Sequence, residues 1–149
     1  MTVLTSLYDY WATCPVLQLT PFLWQELPAQ GPAYCLAPLP TPEGAPAIEP
    51  LLRRYADGGA LLQQPFLLAY RAAATESPYP PAWLAQQYFA SLLQWQDVTA
   101  ATGRLPHLGW GRQAQSLAVT GPAYLAQAAT DQTAARYEIP GLLLYYQEL

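Results

Sequence analysis

The chain has 149 residues, 52% of them hydrophobic and only 11% charged, with a formal net charge of −4. Ordinary soluble domains carry roughly 25% charged residues. The length suits one domain with its own core, and the acidic balance excludes a general nucleic-acid binder, which would carry clustered positive charge. All six basic residues are arginine, and the only basic doublet is Arg53-Arg54. A surface this poor in charge has little to keep it dispersed, so self-association or incorporation into a larger assembly is expected.

Thr2 to Thr13 places Val3, Leu4, Leu7, Tyr8 and Trp11 on one helical face, with Thr2 as cap and Pro15 as stop. The same stretch carries Asp9 and has no basic flank, so it does not read as a signal peptide. No apolar run approaches the roughly 20 residues of a spanning helix, and no membrane role is expected. Cys14 and Cys35 lack the spacing of a metal or redox motif and read as buried free thiols, consistent with a reducing cytoplasm. A short strand is predicted at Ala33–Leu36. After it the prolines of LAPLPTPEGAPAIEP, ending at Pro50, impose an extended connector.

Two apolar stretches flank Asp57-Gly58-Gly59, which predicts a hairpin. In its second arm Leu62, Phe66, Leu68 and Tyr70 alternate with Gln63, Leu67, Ala69 and Arg71, while Pro65 demotes part of the arm to an edge or a bulge. The strongest helix follows, with Pro80 and Pro81 in its first turn, Glu76 favouring its positive end, and Gly103 as stop. Leu84, Tyr88, Leu92 and Trp95 form its apolar stripe, widened by Trp83, Phe89 and Leu93. Gln86, Gln87, Gln94 and Asp97 face water. QSLAVTGPAYLAQAA then reads as one extended segment with a bulge at Gly121-Pro122, TDQT as a turn, and ARYEIPGLLLYY as the second arm of a long hairpin. The expected architecture is α+β. It is a single domain over residues 1–149, with an antiparallel sheet of two hairpins plus a short strand, packed by an N-terminal helix and one long central helix.

Residues able to move protons or hold a metal are scarce. His107 is the single histidine and has no Cys, Asp or Glu at ligand spacing. Ser116 sits in no nucleophile elbow, and the glycines of GWGR lack the lysine and strand-to-helix setting of a phosphate loop, so they read as a turn. Glu43, Glu49, Asp57 and Glu76 fall around turns. No enzymatic activity, catalytic residue, cofactor or metal is expected.

Taken in order, RRYADGG (Arg53–Gly59), LPHLGWGR (Leu105–Arg112), SLAVTGPAYL (Ser116–Leu125) and ARYEIPGLLLYYQ, ending at Gln147, resemble a family of small proteins of tailed bacteriophages and prophages. These are the minor capsid or tail-completion proteins, which are similar to tail terminators. The resemblance covers roughly residues 33 to 149, with the N-terminal helix also in place. It implies a structural protein of the virion tail or neck, assembled in the bacterial host cytoplasm. Such proteins form rings, typically hexamers, that stop tail-tube polymerisation at the head-proximal end and present a surface to the head connector. The implied partners are other copies of the chain, the tail-tube protein and the head-connector protein.

Aromatic and arginine anchors dominate protein contacts. The candidate interface residues are therefore Arg53, Arg54 and Tyr55 on the first hairpin, with Leu142, Leu144 and Tyr146 on the last strand. On that strand Tyr137, Ile139, Leu143 and Tyr145 alternate as core, while the opposite face begins polar at Arg136 and Glu138 and turns apolar at Leu142. Either the N-terminal helix or a neighbouring subunit must cover that second apolar set. The alternative function is a small apolar ligand- or peptide-binding module.

Overall fold

The structure is a computed structural model that describes residues 2–18, 21–29, 33–39, 50–71, 81–119, 122–128 and 134–148, the side chains of 81–85 excepted. The expected TDQT turn, Pro80, Glu76 and most of the proline-rich connector lie outside the described residues, as do the side chains of Trp83 and Leu84. The described elements are α1 (Val3–Ala12), α2 (Pro15–Gln18), β1 (Phe22–Trp24), β2 (Ala33–Pro38), β3 (Leu51–Arg54), β4 (Ala60–Arg71), α3 (Pro81–Ala101), β5 (Arg112–Val119), β6 (Tyr124–Gln127) and β7 (Arg136–Gln147).

The class is α+β, but seven strands replace the expected two hairpins and a single strand. Two twelve-residue strands, β4 and β7, pair antiparallel along their full length, from Ala60↔Gln147 to Arg71↔Arg136. β3 and β2 lie end to end along the outer edge of β4, with β3 opposite Ala60–Leu62 and β2 opposite Phe66–Arg71. β5 and β6 lie in the same way along the outer edge of β7. The sheet is not wholly antiparallel: β1, which the sequence reading missed, runs parallel to β2 as the outermost strand. Three residues carry too little periodicity to announce a strand. Its place is fixed from outside, by the Tyr8 hydroxyl donating to the Phe22 carbonyl at 2.6 Å and by the Tyr8 and Phe22 rings stacked 4.6 Å apart.

Pro65 demotes nothing, and Pro140 leaves β7 equally continuous. Alternate residues of a strand point their amides to opposite edges. The Gln63 amide donates to the Pro50 carbonyl, toward the β3 side, so the nitrogen of Pro65 also points there, between the stretches occupied by β3 and β2. The Glu148 amide donates to Gly111, toward the β5 side, and by the same parity Pro140 faces the junction between β5 and β6. Each proline therefore sits where its strand needs no donor. The expected bulge at Gly121-Pro122 falls at the junction between β5 and β6, where one extended segment was expected. Val119 to Tyr124 is five steps along β5–β6, against three from Glu138 to Gly141 on β7, which leaves two extra residues at the junction. Residues 120–121 themselves lie outside the described residues.

Thr2 caps α1 as expected, its hydroxyl accepting from the Thr5 amide at 3.1 Å. Pro15 opens α2, where its missing amide proton costs nothing. Leu7 and Trp11 of α1 and Phe89 and Leu92 of α3 share one core with Leu36, Phe66, Leu68, Tyr137, Ile139 and Leu143 of the sheet. Both helices therefore pack on the same sheet face. Trp95 joins them, its ring 5.6 Å from Trp11 and 5.3 Å from Tyr10. Gln96, outside the predicted stripe, is buried because its amide donates to the Leu117 carbonyl at 2.9 Å and ties α3 to β5.

Phe66 lies directly over Gly141, where a β-carbon would come within 2.3 Å of the ring. Gly141→Ala is therefore expected to destabilise the fold by about 1–3 kcal/mol through overpacking, read as a lowered urea midpoint. The Tyr34 hydroxyl is buried with no hydrogen-bond partner among the described residues, and burial pushes its phenol pKa far up. Tyr34→Phe removes that unsatisfied group and is expected to raise the midpoint, by about 1 kcal/mol.

Candidate interaction surface

Residues paired across a sheet share a face. The face away from the helices therefore carries Arg53, Leu61, Tyr146 and Gln113 in one row, Gln63, Leu144 and Ser116 in the next, and Pro65, Leu142 and Ala118 in a third. Leu142, Leu144 and Tyr146 are half-buried, and α1 lies on the other side of the sheet from them. The N-terminal helix is thus not what covers this set.

The two groups of sequence-predicted interface residues meet at the β3–β4 turn. Asp57 and Gly58 close it: Gly58 has a φ of +90°, the Tyr55 amide donates to the Gly59 carbonyl, and the Gly59 amide donates to the Asp57 carboxylate at 2.8 Å. The Tyr146 hydroxyl donates to the same carboxylate at 3.0 Å, with its ring seated against Gly59. Tyr55 lies 5.8 Å from the Tyr146 ring, and the Arg53 guanidinium sits 5.3 Å over Tyr55. Arg53, Tyr55 and Tyr146 therefore form one aromatic–cation cluster at the margin of the half-buried rows, with the two rings tilted by 52°. Arg54 does not join it, because it pairs with Ala60 and belongs to the helix-side face. The two arginines pair in regular register, so simple alternation separates them; the bulge lies before them, at Leu52, which is exposed at 47%.

The opposite end of the same face is closed. Cys35, Leu67, Ala69 and Arg71 are buried there. Arg71 acts as a clasp, its guanidinium donating to the Pro28 carbonyl at 3.1 Å and to the Ala134 carbonyl and the Gln127 side chain, each at 2.9 Å. Arg136 holds Glu138 at 2.7 Å, and Glu138 accepts from the Tyr124 hydroxyl at 2.9 Å. The polar start of β7 is thus internally satisfied, and only its apolar end is left half-open.

The sequence reading passed over Trp110, which stands 98% exposed on the turn between Gly109 and Gly111. Its signal was a tryptophan between two glycines, read only as a turn. Two grooves adjoin that turn. One, of about 310 Å³, brings exposed His107 and Arg104 near Asp9 and Tyr10. The other, of about 530 Å³, lies between His107, Trp110, Tyr146 and Glu148. Among the described residues no group of His, Cys, Asp or Glu is arranged to hold a metal, and no helix is long and apolar enough to cross a membrane. No protein-family model and no curated protein sequence matches the chain.

Hydrogen bonds from Gly59 and Tyr146 hold the Asp57 carboxyl below the ordinary aspartate range, and the same bond raises the Tyr146 phenol. Since the folded pKa of Asp57 is depressed, its stabilising contribution is present above the ordinary value of about 3.9 and fades as pH falls through its own lower value. Tyr146 has the opposite sign. Its contribution is present below the ordinary phenol value of about 10 and is lost as pH rises through its raised one. In an NMR titration Tyr146→Phe is expected to bring the Asp57 midpoint back up. An unchanged midpoint would show that the hydroxyl does not hold the carboxylate.

Proposed function

We propose that the chain is a structural subunit of a tailed bacteriophage or prophage that closes into a ring at the head-proximal end of the tail tube and mediates head–tail joining. The phage assignment rests on the ordered sequence resemblance. The observation that carries self-association is the half-buried leucine and tyrosine set of β7, on the face away from the helices, bordered by the Arg53–Tyr55–Tyr146 cluster. Cyclic assembly repeats one heterologous contact until it closes. Arg53, Tyr55, Leu142, Leu144 and Tyr146 are the residues assigned to it, with Arg54 reaching the neighbour from the other side of β3. The partners are further copies of the chain, the tail-tube protein and the head-connector protein. The place of action is the virion neck, after assembly in the host cytoplasm.

A module binding an apolar ligand or peptide has less support. Such sites are concave and mainly apolar, whereas the described grooves mix apolar walls with arginine, histidine, glutamate and amide groups.

Native mass spectrometry is expected to find a discrete ring whose mass is a small multiple of 16.4 kDa. Leu144→Glu, introducing a charge into the assigned contact, is expected to collapse the ring while leaving the circular dichroism spectrum unchanged. A wild-type chain that never exceeds a dimer, and that binds apolar dyes with its β7 face, would sink the ring and favour the binding module.

A further inference from the structure

Large aromatic side chains are mostly buried, yet Trp110 is 98% exposed and rests on almost nothing in its own chain. Its backbone is nevertheless fixed. Leu108, two residues before, is buried, and Arg112, two residues after, opens β5. The Arg112 amide donates to the Gly109 carbonyl at 3.0 Å, and the Glu148 amide to the Gly111 carbonyl at 2.7 Å. Gly111, with a φ of +62°, takes the turn position that needs a left-handed residue. An indole presented on so rigid a turn has little freedom left to lose on docking.

The same end of the sheet holds a site that matches it. Leu51, Ala60 and Leu62 form the apolar part of a groove of about 350 Å³ between β3, β4 and the end of β7, and exposed Arg54 stands at its rim. Among the described residues Arg54 has no ion pair. A guanidinium favours the face of an indole above other aromatic rings, and the groove has room for one. In its own chain Trp110 does not line this groove. The row Arg112–Gln147–Ala60–Arg54 crosses four neighbouring strands. At about 4.8 Å per strand the Arg54 rim stands roughly 14 Å from Arg112, on the far side of the strand that carries Gln147.

We infer that Trp110 seats in the Arg54-rimmed groove of a second copy of the chain. Knob and socket lie at one end of the sheet, and Glu148 borders both the socket and the groove beneath Trp110. Two copies related by a two-fold axis can therefore exchange both tryptophans at once, each contact being repeated by symmetry. The same approach brings each Glu148 toward the arginines of the other copy, Arg54 at the socket and Arg112 beside the knob. This contact leaves the Leu142–Leu144 rows free and shares only Arg54 with the proposed ring contact, so Trp110→Ala and Leu144→Glu tell the two apart.

Sedimentation velocity over a concentration series tests the pairing. Trp110→Ala, which removes no packing from its own chain, is expected to fold normally by circular dichroism and to weaken dimerisation at least roughly thirtyfold, as the loss of a central anchor does. Arg54→Glu is expected to do the same. Mixing the two variants restores one intact knob against one intact socket, and a heterodimer tighter than either homodimer is expected. A wild-type chain that stays monomeric, a Trp110→Ala chain that associates like wild type, or a mixture pairing no better than its components would each overturn the inference. Association that responds to Leu144→Glu but not to Trp110→Ala belongs to the ring contact instead.

Discussion

The antiparallel pairing of β4 with β7 is the constraint on which the rest of the molecule depends. Twelve consecutive residue pairs run without a register shift, while β3, β5 and β6 each shift where they meet these two strands. The irregularity of the chain has been pushed outward. A one-residue slip in the central pair would turn every side chain to the wrong face. Phe66 over Gly141 pins the register near its middle, and the Tyr146–Asp57 bond and the Arg71 clasp hold its two ends.

Splitting the outer lanes is what makes a proline-rich chain compatible with so long a pair. An unbroken neighbour along β4 would demand a donor from Pro65, and one along β7 would demand a donor from Pro140. Dividing each lane into two shorter strands places a junction at both positions, and neither strand loses a ladder bond it could have made. The same division gives the two ends of the sheet different fates. At the end with β2 and β6, charged and amide groups close the face by bonding one another. At the end with β3 and β5 the turns carry aromatic and arginine side chains outward.

That asymmetry concentrates the exposed anchors in one region. Arg53, Tyr55 and Tyr146 cluster beside the half-buried leucines, and Trp110 and the Arg54 groove lie round the end of the same strands. With so few charges to hold it apart from other molecules, such a surface favours association. The proposed ring and the inferred tryptophan exchange are two contacts drawn from this one region, with Arg54 common to both.

The sequence by itself determined what depends on local chemistry and periodicity: the Thr2-capped first helix, the Asp57-Gly58 turn, the alternation along β4 and β7, and the core set Tyr137, Ile139, Leu143 and Tyr145. It also singled out both groups of candidate interface residues, since an apolar second face shows in the spacing alone. Only the tertiary structure decided what depends on partners distant in the chain. β1 exists because Tyr8 and β2 receive it, Pro65 and Pro140 are harmless because of what lies beside them, and Gln96 is buried because Leu117 offers a carbonyl. It also set both helices on one face, left Leu142 and Leu144 uncovered by α1, and placed a bulge at Leu52 ahead of the two arginines. The exposure of Trp110 belongs to the same class. A glycine-flanked tryptophan announces a turn, but whether anything folds over that turn is settled by packing among segments that no short stretch of sequence encodes.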